Sequence, residues 1–531
     1  MKHDVVKTTE VLIVGAGPVG LMLACLLSFY KIPCRIIDKK KAPCGYSGAM
    51  VIHARTLEVF RQMGIADLVQ QQGTRVQALS VFIEGQKKTS FHAGSTGEKI
   101  SPYTSMLLLE QKKTEKLLLD FLSGKGIMVE WETELVDSVQ TADHVEAVVL
   151  DPGGTRDSIT SSWLAGTDGG QSTVRTLLGI PFPGKTHRLN LSIMEVDAGI
   201  DLKENEAGFS FSKRATTGFF PLPDGKWRID AALNRFHGRK KFVTFKDVQQ
   251  YFGYDTGIKT VVRHPKFFSV FRSHGRVASL YTSGRCFLAG DAAHLFTPVG
   301  AQGMNTGLQD AHNLAWKLAM VAGGKVVPDI LFTYKDERKP VAQKVSHDSD
   351  RFLKLAASPG FFYKLIRRFL LPPFMKMFFK MMEKRKVNEF VFNKISGTGI
   401  SYKSNLLNVD FSGEKFHPGP NSGDRLPYLR YWNKKQEVHI QDMVDPAAFL
   451  LLVFPGHGDA EDLLKLTGKY STVLKAQLIR LSDETKDLYI SLGIKSTGWI
   501  LVRPDQYVAC RSDGTGSEEL ALYLKNIFIT T

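Results

Sequence analysis

Four consecutive apolar residues, Val11-Leu12-Ile13-Val14, make the short unbroken run expected of a strand buried on both faces. A glycine-punctuated turn follows, Gly15-Ala16-Gly17-Pro18-Val19-Gly20, and then a helical pattern over about residues 19–30. A second apolar strand, Cys34-Arg35-Ile36-Ile37, ends at Asp38. The pattern predicts a strand–helix–strand unit with parallel strands. Two later runs, at Trp163-Leu164-Ala165-Gly166 and Cys286-Phe287-Leu288-Ala289, again lead from a strand into a glycine–acid turn. Between about residues 180 and 280 the pattern shifts to short alternating runs such as Gly208-Phe209-Ser210-Phe211 and Lys226-Trp227-Arg228-Ile229-Asp230, which predict an antiparallel sheet. Beyond Asn305, apolar Leu308, Ala311, Leu314, Ala315 and Leu318 recur at helical spacing.

A chain of 531 residues exceeds one compact core, so two to four units are expected. Its 43% hydrophobic and 23% charged residues fit an ordinary globular protein. The net charge of +16 admits nucleic acid, an acidic membrane surface or anionic cofactors as partners. No zinc-finger, helix-turn-helix or RNA-binding motif supports nucleic acid. Five cysteines, without C-x-x-C or metal-ligand spacing, argue for a reducing compartment, and a cytoplasmic location is expected. The apolar run near the N-terminus carries Gly15, Gly17, Pro18 and Gly20, which speaks against a signal peptide.

The glycine turn has a chemical reading. Gly15 permits the tight turn, Gly17 lets a pyrophosphate approach the backbone, and Gly20 lets the helix pack closely on the strand. Pro18 counts with these glycines as a cofactor-binding candidate, and the N-terminus of the helix favours phosphate charge. Asp38 lies eighteen positions after Gly20, near the offset of the acid that binds adenosine ribose hydroxyls. This predicts dinucleotide binding, with NAD, NADP and FAD all open.

Taken with Thr167-Asp168-Gly169-Gly170 and Gly290-Asp291, the order of motifs resembles the para-hydroxybenzoate hydroxylase-like FAD-dependent monooxygenases, over roughly residues 8–400. The resemblance implies a fold of mixed α/β type. It comprises a Rossmann-like FAD-binding domain (1–180 and 281–400, with a helical connector), an inserted antiparallel β-sheet substrate domain (181–280) and a thioredoxin-like α/β domain (401–531). It further implies that Asp291 binds the ribityl hydroxyls and that Pro298 and the 300–305 loop lie against the isoalloxazine ring. Gly303 would belong to the ring environment, and the amides of Met304 and Asn305 would sit near its polar edge. Gln111, Arg55, Asp168 and Gly290 complete the implied cofactor set, and no metal is implied. His294 reads as a turn histidine, whereas His53 could approach the active site.

The family activity is hydroxylation of an aromatic, phenolic or polyketide-type substrate with NADPH or NADH and O2, through a flavin hydroperoxide. Phe209, Phe211, Phe219, Phe220 and Trp227 are candidates to line the substrate pocket, although most aromatics in such a sheet fill core. No proton relay is identifiable, and Met50-Val51-Ile52 occupies a stretch where phenol-hydroxylating relatives can carry an acid. The segment 356–394, rich in Phe, Met, Leu, Lys and Arg and broken at Pro372-Pro373, reads as a connector or as a basic face for a membrane surface. Residues beyond about 405 resemble the tail of the phenol hydroxylase and polyketide hydroxylase branch, through Pro418-Gly419 to Pro427 and Leu501 to Ala509, departing at Gln506 where glycine is usual. The tail implies a monomer or homodimer. A membrane-associated quinone-precursor hydroxylase and a non-catalytic flavin-binding module stay open as alternatives.

Overall fold

The computed structural model describes residues 8–46, 48–92, 97–212, 214–232, 243–357, 360–411, 419–433, 436–514 and 516–529, so Pro418 lies outside the described residues. The first strand, Thr8–Val14, pairs in parallel with Cys34–Asp38 on one side and with Arg156–Gly166 on the other. Val129–Trp131 and Cys286–Leu288 extend this parallel sheet at its two ends. The helix Pro18–Phe29 makes the crossover. Its residues from Gly20 to Leu27 are all buried, because a central parallel sheet is covered on both faces.

A long central helix, Gln302–Ala322, packs against Pro18–Phe29. Glycines permit this close approach. A Cβ on Gly307 would lie 2.6 Å from Val19 Cγ2, and one on Gly290 would lie 2.7 Å from the same atom. The two glycine motifs and the central helix thus converge on Val19.

The second sheet has eight strands in the order 294–295, 263–277, 184–197, 226–232, 216–221, 206–211, 78–83 and 86–92. It differs from the antiparallel sheet expected over 181–280. Ala78–Ile83 and Gln86–His92 come from well before it, and Ala78–Ile83 pairs in parallel with Glu206–Phe211. One face packs under the helix Phe245–Thr256 and buries Phe219, Trp227, Ile229 and Phe252. Phe219 and Trp227 are therefore core residues rather than pocket lining. Strand alternation turns Phe220, Arg228 and Asp230 to the opposite face.

The tail forms a four-stranded sheet in the order 474–478, 449–454, 498–502, 508–513, with the first pair parallel and the rest antiparallel, flanked by helices, as in thioredoxin-like units. It packs on the back of the central helix, where Trp316 meets Phe449 edge-on at 5.7 Å. A buried ionic knot seals the contact. Arg503 Nη2 and Lys317 Nζ donate to Glu337 Oε2 at 3.0 and 2.8 Å, and burial pulls the Lys317 pKa down to about 8.

The connector holds helices Phe361–Leu365, Leu371–Met382 and Arg385–Ser396, with a π-helical turn at Ile366–Leu370. Pro372-Pro373 does not break it. The prolines occupy the first turn of Leu371–Met382, where a missing N–H costs little, and the π turn just before them absorbs the irregularity. Among the described residues no helix is long and apolar enough to cross a membrane.

Candidate active site

The turn after the first strand is shaped by close contacts. Gly15 has φ +104°, and a Cβ there would fall 2.6 Å from the Thr167 carbonyl oxygen. A Cβ on Gly20 would fall 1.9 Å from the Gly15 carbonyl oxygen. Thr167 Oγ1 donates to the Gly15 carbonyl at 2.7 Å, which ties the first motif to the second. Gly17 differs, since a Cβ there would meet nothing within 4 Å. The space before the first helix is open, and that helix has Gly17 as N-cap, with no side chain bonded to its free amides. Asp38 is buried beside this space, where its Oδ2 accepts from the Ala16 amide at 2.7 Å and its Oδ1 from the Lys40 amide at 2.8 Å.

Asp291 keeps part of its surface exposed although protein surrounds it, and it accepts no hydrogen bond from a described residue. Burial raises its pKa, with the nearby His294 opposing. The neighbouring His294 is fully buried, with Nε2 bonded to Asp310 Oδ2 at 2.7 Å. Asp310 also takes Arg338 Nε at 2.7 Å and the Gly290 amide at 3.2 Å. Burial opposes its ionisation, yet Arg338 and His294 hold Asp310 below the usual carboxylate range. His294 is thus a structural residue that fixes the Gly290-Asp291 turn.

The loop after Pro298 carries unusual backbone. Gly300 has φ +77°, and Ala301, not a glycine, has φ +52°. A left-handed alanine costs about 1 kcal/mol and persists where the surroundings hold it. The His53 ring does part of this, since its Nε2–H donates to the Gly300 carbonyl at 3.1 Å. Burial, opposed by the carbonyls of Gly300 and Ala301, lowers the His53 pKa to about 4, so the ring is neutral. Asn305 holds the same corner. Its Oδ1 accepts from the His53 amide at 2.9 Å and from Thr56 Oγ1 at 2.8 Å, while its Nδ2 donates to the Val51 carbonyl at 2.8 Å. The central helix, like the first, has no side-chain cap, so its first-turn amides, around Gly303 and Met304, are unpaired by a cap. A Cβ on Gly303 would meet nothing within 4 Å.

Facing this loop is the second sheet. Ala301 packs in a cluster with Met50, Val76, Leu108, Phe220 and Leu222. Phe209 meets Phe220 edge-on at 5.9 Å, and Phe211 lies in the neighbouring cluster with Val81 and Ile83. Arg228, nearly fully buried on this face, donates to Asp230 Oδ1 at 2.9 Å and to the Gly48 carbonyl at 2.8 Å, clasping Gly48 to the sheet. Sequence reading passed over Arg228, although its alternation with Trp227 was the signal that it faces away from the core.

Three sequence candidates have other engagements. Arg55 is fully buried and spends its donors on Glu58 Oε2 (2.8 Å), Gln506 Oε1 (2.8 Å) and the Asp505 carbonyl (2.6 Å), joining the body to the tail rather than lining the cleft. Asp168 accepts from Ser172 Oγ and from the amides of Thr173 and Val174 at 2.5, 2.6 and 3.1 Å, capping a short helix. Gln111 stands at the start of a helix, accepting from the Ala49 amide at 3.1 Å and donating to Glu115 at 2.8 Å.

These features fit FAD. An open space before an uncapped helix suits a pyrophosphate, and a buried acid beside it suits a ribose. An acceptor-only carboxylate without a partner suits a chain of hydroxyls, and a second uncapped helix suits an electron-rich ring edge.

Residues 8–349 match the FAD binding domain family, and residues 419–530 match the family described as aromatic-ring hydroxylase, C-terminal. The 6-methylpretetramide 4-monooxygenase of Streptomyces rimosus is 32% identical, with 98% of this chain and 94% of that protein covered. The structure of an anhydrotetracycline hydroxylase from Streptomyces rimosus superposes with a TM-score of 0.77 at 26% identity, covering 99% of this chain and 100% of that one. The fold of an aklavinone-11 hydroxylase, solved with FAD and aklavinone, matches at a TM-score of 0.81 and 22% identity, over 99% of each chain.

Proposed function

The chain belongs to the FAD-dependent aromatic-ring hydroxylases, flavoprotein monooxygenases working with NAD(P)H and O2, and from that premise we propose that its substrate is a polycyclic phenol of the polyketide class. The observation that carries the substrate reading is the apposition of the Ala301 loop to an apolar cluster of the sheet face around Met50, Phe220 and Leu222. A broad apolar wall suits several fused rings better than one small, charged ring. The relatives named for tetracycline-type substrates support the same class.

The proposed roles follow from the geometry. The Gly15–Gly20 turn and Pro18, at the head of the first helix, bind the pyrophosphate, and Asp38 binds the adenosine ribose. Gly290 and Asp291 receive the ribityl chain, and Gln111 holds the 48–49 backbone near the cofactor. Pro298, Gly303, Met304 and the Asn305 backbone form the ring environment, while the Asn305 side chain and His53 keep that loop in place. Arg55 and Asp168 act indirectly, by fixing the tail contact and the second turn. When bound, FAD supplies reduction by NAD(P)H and activation of O2. The uncapped amides at the head of the central helix favour negative charge on the ring edge. The apolar wall excludes water from the reacting carbon. His53, with Nε2–H committed to Gly300, holds its proton in place rather than relaying it.

The test is NADPH oxidation by FAD-loaded protein in labelled oxygen gas, with fused-ring phenols set against single-ring phenols. Faster oxidation with label in a fused-ring product supports the reading. Coupled turnover with single-ring phenols alone would remove it.

A further inference from the structure

We propose that the helical run from Phe361 to Met382, with the adjoining Arg385–Ser396 helix, is a docking face for an anionic lipid bilayer. A surface helix normally buries one apolar stripe and exposes a polar one. Here both sides are apolar. On the inner side Phe379 stacks on Phe91 at 5.7 Å and joins the cluster with Phe209 and Phe211, and Met382 is buried. On the outer side Phe362, Leu365, Phe369, Met377 and Met381 stand 40–79% exposed. Their spacing of three or four residues, with exposed Pro373 in the gap, keeps them on one stripe through the π turn at Ile366–Leu370. Among the described residues, eleven of the twenty-six large hydrophobics that stand exposed fall between Phe352 and Ile395. That concentration exceeds what scattered surface apolars produce.

Charge selects the occupant. Residues 354–394 contain ten Lys and Arg against two Glu, a net +8 that is half of the whole chain's +16. Lys380, Lys384, Arg385 and Lys386 are exposed beside the apolar stripe. An apolar stripe flanked by cations is the composition of a helix lying in the plane of an anionic bilayer, with rings below the headgroups and ammonium groups among the phosphates. A second copy of the chain is a poorer fit, because a two-fold contact would set this cationic face against itself. The same segment reaches the head of the central helix, where Gln302 Nε2 donates to the Ile395 carbonyl at 2.9 Å. Docking would therefore hold the sheet edge and the head of the central helix next to the lipid, whichever aromatic substrate the site takes.

The experiment is co-sedimentation of the FAD-loaded protein with phosphatidylcholine vesicles, with and without phosphatidylglycerol. Binding is expected with phosphatidylglycerol, to weaken with added salt, and to be faint without it. Combined Lys380→Glu, Lys384→Glu and Lys386→Glu should reduce binding by more than about a hundredfold, the loss expected from removing three charges at about a factor of five each. Phe362→Ser with Phe369→Ser and Met377→Ser should reduce it too, with bound flavin and melting temperature retained in both variants. Reversal of the exposed Lys31, Lys125 and Lys469 should reduce it far less. No pelleting with anionic vesicles, or equal loss in that control, overturns the proposal. So does concentration-dependent dimerisation that the Ser variant abolishes, which would give the face to a second copy.

Discussion

At the scale of single residues, the two glycines that flank Pro18-Val19 separate folding from binding. Gly20→Ala should destabilise the protein by several kcal/mol or prevent folding, because its Cβ would lie 1.9 Å from the Gly15 carbonyl oxygen. Gly17→Ala meets open space, so the apoprotein should melt as the parent does while FAD affinity falls by on the order of tenfold or more, read by calorimetry and flavin fluorescence. Asp291→Asn should leave or slightly raise apoprotein stability, since an unpartnered carboxylate is costly there. It should weaken FAD binding by about 1.5–3 kcal/mol, the worth of a hydrogen bond to a charged group. His53 makes stability depend on pH. Its folded pKa of about 4 lies below the unfolded value near 6.5, so its contribution is whole above about pH 6.5 and is lost as pH falls towards 4, by roughly 3 kcal/mol. His312, lowered to about 3 by burial, adds a loss of the same sign. Melting curves between about pH 7 and pH 4 should show a shallower decline for His53→Gln than for the parent. Parallel curves would contradict the assignment.

Elements were legible where the signal is local. The first strand–helix–strand unit follows from a β-branched run, a glycine turn and helical spacing, and each of those is enforced by the burial seen around Gly20 to Leu27. The parallel edge of the second sheet was not legible, because the partners of Glu206–Phe211 lie more than a hundred residues upstream and pairing at that separation leaves no periodic trace. Pro372-Pro373 misled for a related reason, since a proline pair stops a helix or opens one according to where the preceding turn ends. The candidate site was legible through backbone requirements at Gly15, Gly20 and Gly290, and less so through side chains. An arginine and an aspartate, Arg55 and Asp168, satisfy structural partners with the same groups that would hold a cofactor. The tail contact gives a direct check. Arg55→Ala leaves buried Glu58 with Arg425 and the Ser101 hydroxyl and takes away one of its two cations, which should cost about 3–5 kcal/mol. FAD affinity of the folded fraction should change little, whereas a cofactor-binding arginine would lose both together.

For the whole molecule, the parallel sheet, the mixed sheet and the tail pack on one central helix and its loop. The parallel sheet carries the two uncapped helices proposed to hold the dinucleotide, the mixed sheet sets Met50, Phe220 and Leu222 against Ala301, and the tail is fastened behind the central helix by Trp316, Arg503 and Glu337. Gln506 keeps a left-handed φ of +65° and bonds to Arg55, so it joins the fastening at some cost in backbone strain. Together the uncapped helices and the apolar face at Ala301 make up the proposed site, where oxygen from O2 reaches an aromatic carbon. Its most direct test is mass spectrometry of the product formed from a fused-ring phenol by FAD-loaded protein with NADPH under isotopically labelled oxygen. One labelled oxygen atom in the product, lost together with bound FAD in Gly17→Ala, is the expected result. A product carrying oxygen from water, or labelled product from protein that holds no FAD, would contradict it.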